Sequence, residues 1–458
     1  MKLLYFNLFL SLFMHLNAQC WKTVSAGNYH TLAIKADGSL WSWGRNNFGQ
    51  LGDGSNDDNY VPTKVGTSTD WKWVSAGALF SMAIKNDGSL WGWGLNANGQ
   101  LGDGTNLNKL FPQQIGTDTD WLQVCAGGIN TVGLKNDSTL RTWGGNFAGQ
   151  LGLGNTLDKN SPQIVAPGVK WKMVITRWSR TMGIRKDGTL WAWGLNDFGQ
   201  LGDSTLLNKL TPLRIGKDST WSQIASGYRE SMGLKSNGSL WAWGNNSEGQ
   251  LGDSTLISKL IPVKIGTQNN WKQVSVGYAF ALALQNNGSL WSWGLNSNAQ
   301  LGNGTPSNRK VPTRVGTDTM WHYLSADNLQ SFAMKVGGSL WSWGFNAYGQ
   351  LGNGSTNITF LPTILPYSGC LTGLLDANNN MHRRLYLAPN PTSDKLVLMS
   401  QNTIHLKSVL CHDLLGKPMP ITFSNTFEID TSMLPPGVYE LSILDENNQR
   451  QTLKFIKE

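Results

Sequence analysis

The sequence predicts an all-β protein: a seven-bladed β-propeller followed by a small C-terminal β-sandwich. Three observations predict it: a period of fifty residues, four short strand-like runs in every period, and a change of composition after the last one. Trp21, Trp71, Trp121, Trp171, Trp221, Trp271 and Trp321 each open a unit. Gly-Gln-Leu-Gly follows at Gly49, Gly99, Gly149, Gly199, Gly249 and Gly349, with Ala299 the one departure, and a proline recurs from Pro62 to Pro362. Seven units therefore run from Trp21 to about Tyr367 without an insertion, and a period of this length marks a solenoid, propeller or array.

Each unit reads as β throughout. WKTVSAG and TLAIKADGSLWSWG contain short runs rich in Val, Ile, Leu and Trp, bounded by Gly, Asn and Asp. ADG, NDG and KDG between such runs predict hairpin turns, since Asp-Gly tolerates positive φ. VPTKV supplies a fourth strand whose proline suits an outer edge. Four strands taken seven times make a propeller, which leaves only short edges exposed. Trp41 and Trp43 lie two apart and project to one face, while the residue between them is always small, from Ser42 to Ser342. Blades stacked face to face would let each tryptophan pair fill the space beside a neighbour's small residues. Of 22 tryptophans only Trp73 and Trp178 lie off the repeat positions, and Arg141 stands where one more would be. The glycines between them mark tight turns and close backbone approaches.

The spacing and the string WxWGxNxxGQLG resemble the regulator of chromosome condensation repeat family of seven-bladed propellers. Ala26 to Gly44, AGNYHTLAIKADGSLWSWG, carries that family's glycine and His-Thr/Ser signature. The resemblance implies the fold and leaves function open, because the family hosts exchange factors, ubiquitin-ligase modules, channel regulators and a bacterial inhibitor of β-lactamases.

The two ends point to export. Residues 1–18 read as a secretory signal peptide, with Lys2, an apolar run too short to remain as a span, and Ala18. A lipoprotein with acylated Cys20 is the competing reading. The propeller is expected over 19–370 and a polar linker over 371–384. Residues 385–458 contain no Trp, and alternate strands with Pro, Gly and Asn turns, as a β-sandwich does. Pro389-Asn390-Pro391, Asp413 with Gly416-Lys417, Gly437-Val438-Tyr439 and the terminal Lys454 and Lys457 resemble the C-terminal sorting domain of the type IX (Por) secretion system. That resemblance implies the type IX machinery as partner, and a location outside a Gram-negative cell, released or surface-attached. No other segment could cross a membrane.

An exported chain meets an oxidising compartment. Cys20 and Cys370 stand seven periods apart, so a closed ring would bring them to one seam, where a disulfide is expected; two unrelated thiols are the alternative. Cys125 reads as a small filler and Cys411 as unpaired. The formal charge of +8 recurs largely at one phase, Lys35, Lys85, Lys135, Arg185, Lys235 and Lys335, which reads as a solvated or structural ring and not as a nucleic-acid surface.

Catalytic signatures are missing. Only His30 and His322 fall in the propeller, and no His-Glu-x-x-His, phosphate loop or Gly-x-Ser-x-Gly occurs. Asp53, Asp57 and Asp58 form the densest acidic group, read as a solvated loop against the alternative of a calcium site. No cofactor or metal is expected. Variation is concentrated instead in one triplet per unit, between nearly fixed flanks: Asn28-Tyr29-His30, Ala78-Leu79-Phe80, Gly128-Ile129-Asn130, Trp178-Ser179-Arg180, Tyr228-Arg229-Glu230, Tyr278-Ala279-Phe280 and Asn328-Leu329-Gln330. Fixed scaffolds with variable tips build binding surfaces, and Trp, Tyr, Phe and Arg dominate hot spots. The expected ligand-binding residues are Tyr29, His30, Phe80, Trp178, Arg180, Tyr228, Arg229, Glu230, Tyr278 and Phe280; of these, Trp178, Arg180, Tyr228, Arg229, Tyr278 and Phe280 should form one continuous patch across blades 4 to 6. The expected function is non-catalytic binding of a protein or glycan; a secreted enzyme inhibitor is the alternative, and a secreted enzyme comes third.

Overall fold

The structure, a computed structural model, describes residues 20–365 without a break, and beyond them 385–388, 392, 394–400, 406–413, 416–424, 428–445 and 450–457. The expected signal peptide, the linker and Cys370 lie outside the described residues. One unit of the chain is Trp21–Tyr367, and a second contains the C-terminal strands.

The first unit holds seven four-stranded antiparallel sheets, each built from one repeat with its strands in sequence order. In blade 1 the inner strand is Trp21–Ala26, followed by His30–Lys35, Leu40–Gly44 and the outer Asn59–Lys64. Successive inner strands neighbour one another, and the seventh, Trp321–Asp327, returns to the first. No blade borrows a strand, so the ring is closed by side chains and loops. The prolines fall in the outer strands as expected.

The tryptophans pack as the spacing predicts, with an addition. Trp293 and Trp271 pack into the face of blade 5 formed by Met232, Leu234, Leu240 and the small Ala242. Trp21 joins Trp41 and Trp43 at 6.0 and 5.8 Å between ring centroids, a cluster of three that blade 3 reduces to the pair Trp121 and Trp143, 5.7 Å apart, because Arg141 replaces the third. The last glycine of Gly-Gln-Leu-Gly is required by this packing: a Cβ on Gly52 would lie 2.8 Å from Trp93 Nε1 of the next blade. Trp93 Nε1 donates to the Gln50 carbonyl at 2.9 Å, and Trp43 donates to Gln350 across the closing seam at 2.8 Å. Bulk and its absence are thus two halves of one joint between blades.

The basic phase is structural. Lys35 Nζ sits 3.9 Å from the Trp41 ring centroid and Lys235 Nζ 3.5 Å from that of Trp241, while Lys235 also meets Asp218 at 2.8 Å. These charges are engaged by rings and carboxylates, which leaves no free basic stripe at that phase.

The C-terminal strands form two four-stranded sheets around one core, with Leu396, Leu398 and Ile429 facing Leu441, Ile443 and Phe455. Tyr439 donates its hydroxyl to the Pro435 carbonyl at 2.7 Å. Cys411 is a buried free thiol in this core.

Candidate functional site

Strand direction places the triplets. Inner strands run toward one end of the ring and second strands run back, so all seven triplets emerge together, beside the long loops that follow the third strands. Within this face the three triplet positions have different fates.

The third residue opens the second strand and turns inward in every blade. His30, Phe80, Asn130, Arg180, Glu230, Phe280 and Gln330 are all buried, none more than 1% exposed. Each reaches the following blade. His30 Nε2 lies 2.9 Å from Ser81 Oγ, Asn130 donates to Thr176 Oγ1 at 2.8 Å, and Gln330 donates to the Gly27 carbonyl at 2.9 Å. Phe80 packs with Trp121 and Val124, and Phe280 with Leu324 and Ala326. Arg180 donates to the carbonyls of Tyr228 at 2.8 Å, Gly227 at 3.0 Å and, most closely, Glu230. Five of the ten expected ligand residues, His30, Phe80, Arg180, Glu230 and Phe280, are therefore corrected: they join blades and offer no surface to a ligand. Burial also sets their protonation. It drives His30 down to about 3 and Glu230 up to about 7, the latter against the opposing pull of Arg180.

The first residue is buried in blades 1 and 3, as Asn28 and Gly128, and reaches the surface in blades 4 to 6. Trp178, Tyr228 and Tyr278, from three consecutive blades, form an arc with centroids 4.6 and 5.1 Å apart. Tyr278 is 37% exposed, and the other two are half-buried. Trp178 holds φ of +49°, a left-handed conformation rare for a bulky residue and costing about 1–2 kcal/mol. Such strain persists where the surroundings impose it, commonly at functional positions.

In blades 1 and 5 the second residue packs on the loop of the preceding blade. Arg229 lies 4.2 Å from the Phe198 ring centroid and 4.9 Å from that of Tyr228, which attaches it to the arc. Tyr29 joins a separate group, 5.2 Å from Tyr348, with Arg45 lying 4.7 Å from the Tyr348 ring. Sequence reading missed Arg45, Phe198 and Tyr348 because they sit in the loop around Gly-Gln-Leu-Gly, where repetition masked the variable residues.

Asp53 accepts from Ser55 N at 2.9 Å and Asn46 Nδ2 at 3.1 Å, and Asp58 accepts from Asn46 N at 2.8 Å, so these carboxylates fix their own loop. No group of three or more His, Cys, Asp or Glu among the described residues is arranged to hold a metal ion. Cys125 is free, and its Sγ accepts from Thr176 N at 3.4 Å where Ser25 and Ser75 make the same bond in their blades.

Comparison with known proteins agrees with this architecture. The RCC1-like domain matches residues 74–370, and the regulator of chromosome condensation (RCC1) repeat matches residues 37–84 and 21–50. The secretion system C-terminal sorting domain, which marks type IX export to the cell surface or extracellular space, matches residues 386–458. The Ultraviolet-B receptor UVR8 of Arabidopsis thaliana is 46% identical over 44 residues, and the match spans 10% of that protein's length. Human WBSCR16 is 20% identical with a TM-score of 0.65, covering 73% of this chain and 94% of that one. Prp20p from Saccharomyces cerevisiae is 20% identical with a TM-score of 0.66, covering 73% and 87%. At such identities the structural likeness concerns the fold alone. With seven four-stranded blades and a match over residues 74–370, the chain belongs to the RCC1-like domain family, and a secretion sorting domain follows its propeller.

Proposed function

We propose that the propeller is a non-catalytic binding module that works outside a Gram-negative cell and holds a protein or glycan ligand on the arc Trp178–Tyr228–Tyr278, with Arg229 beside it. The observation that carries this reading is the arc itself: partly exposed aromatic rings in mutual contact, one of them held in a strained backbone conformation. Aromatic and Arg side chains at the centre of a contact supply most of its energy. The mature protein would be tested against the producer's surface glycans and neighbouring proteins. Trp178→Ala and Tyr278→Ala should each weaken capture by about 2 kcal/mol, roughly 30-fold. Undiminished capture by both variants would remove the arc from the function.

Two proposals concern the ends of the chain. Deleting residues 385–458 should leave a folded propeller in the periplasm, and unchanged export would show that the tail is dispensable. A Cys20–Cys370 bridge would tie the ends at the closing seam, with a loop-entropy contribution of about 6 kcal/mol as an upper figure. Peptide mapping of unreduced mature protein checks it: a linked pair is expected, and a free or lipid-modified Cys20 excludes it.

A further inference from the structure

Five blades have glycine where the inner strand meets its triplet: Gly27, Gly77, Gly127, Gly227 and Gly277. The other two have Arg177 and Asp327. These departures are opposite in charge, and they meet: Arg177 Nη2 contacts Asp327 Oδ1 in an ion pair with side chains 14% and 1% exposed. Blades 4 and 7 are not neighbours in the ring, so the pair reaches across the axis that the inner strands encircle. Both inner strands pair one residue further than the rest, Arg177 with Arg180 and Asp327 with Gln330.

We propose that the Arg177–Asp327 pair is a bar across the channel mouth at the triplet face, and that Arg177 is the positioning residue that holds the Trp178 hairpin in place. The role given to Trp178 rests on reading the arc as the ligand face. Three features support the bar. Arg177 immediately precedes Trp178, so its anchored side chain fixes the start of the strained turn. Arg177 also faces Arg180 across the hairpin, an unfavourable arrangement of like charges unless each is neutralised elsewhere. Arg180 turns to blade 5 beside Glu230, and Arg177 to blade 7. Asp327 in turn accepts from the amide of Asn328, whose φ of +40° makes it the counterpart of Trp178 in blade 7. Breaking a buried pair by removing one charge leaves the other uncompensated, whereas reversing both keeps it.

Cys125 is a native reporter: burial raises the pKa of its thiol most, and of the two charges it feels Arg177 lowers it and Asp327 raises it. In the full mature chain, N-ethylmaleimide labelling of Cys125 would be followed by peptide mass mapping, alongside hydrogen exchange of residues 173–182. Arg177→Gln and Asp327→Asn should each speed both processes about tenfold, through local opening. Exchanging the charges (Arg177→Asp with Asp327→Arg) should bring both rates back toward wild type, which a purely local effect of either residue would not do. Labelling that slows in Arg177→Gln and quickens in Asp327→Asn, with exchange unchanged, would reduce the pair to a thiol electrostatic effect and overturn the bar. A charge-exchanged chain no better ordered than the single variants would overturn it too. These rates need no ligand, so a failure of Trp178→Ala to weaken capture would refute the ligand face and leave the bar standing.

Discussion

The first and third residues of the triplets lie two positions apart and vary equally from blade to blade, yet they do opposite work. The first form an outward row in blades 4 to 6, where Trp178 and Tyr228 are half-buried and Tyr278 is exposed. The third form an inward row, all buried, each wedged against the next blade. Variation in the outward row is what a ligand-facing surface would carry. In the inward row it reflects several solutions to one joint: imidazole to hydroxyl, amide to hydroxyl, guanidinium to carbonyls, or phenyl against Val and Leu. Variable sequence therefore has two physical origins on this face, and only one of them concerns recognition.

The sharpest way to break this comparison is to truncate one member of each row in the same blade. Phe280→Ala removes a fully buried ring and should cost about 3–5 kcal/mol of stability. Tyr278→Ala, two residues earlier, should stay within about 0.5 kcal/mol. Urea titration of the two variants measures the gap, and equal losses would dissolve the distinction. Trp178→Ala falls between, because its ring is half-buried against Tyr228. A loss of about 1 kcal/mol is expected, well below the 3–5 kcal/mol for Trp193→Ala, whose ring is wholly enclosed. A Trp178 variant that melts as early as the Trp193 variant would place Trp178 in the inward group.

Much of this is legible in the sequence. The fifty-residue period fixed blade number, strand order and the sites of Trp43 and Gly52, since every repeat had to pose the same packing problem. The inward row was also written in the sequence. His30 opens a strand buried on both faces as far as Ile34, so the third triplet position belongs to the strand and not to the variable loop. Other features depend on neighbours in space. Tyr29 meets Tyr348 only because blade 7 returns to blade 1, and Arg229 meets Phe198 only across a seam. The bar between Arg177 and Asp327 had a trace, two opposite charges at a glycine phase, but nothing within one repeat says that they face each other.

The smallest effect expected separates the rows by pH. The inward row and the bar hold the buried acids: Glu230, pushed up to about 7, and Asp327, pushed up to about 6, each by burial and against a facing arginine. Glu230 faces Arg180 and neighbours Arg229, and Asp327 faces Arg177, with the Cys125 thiol near both and itself raised above its ordinary value. Unfolded, these carboxyls ionise near 4.5 and 3.8, so over the interval up to about 7 the folded chain binds more protons. Their contribution to stability therefore falls as pH rises through that interval. His30 acts in the opposite sense. Held neutral by burial, it resists the proton that the unfolded chain accepts below 6.5, so it costs stability as pH falls. Above about pH 6.5 the opposing contribution of His30 fades, and Glu230 dominates because its folded value lies highest. Stability should then drop on the order of 1 kcal/mol between about pH 6.5 and 8. Glu230→Gln should flatten most of that slope, while Tyr278→Ala leaves it intact. A slope unchanged by Glu230→Gln would mean that Glu230 titrates normally, and that its seam is open to water.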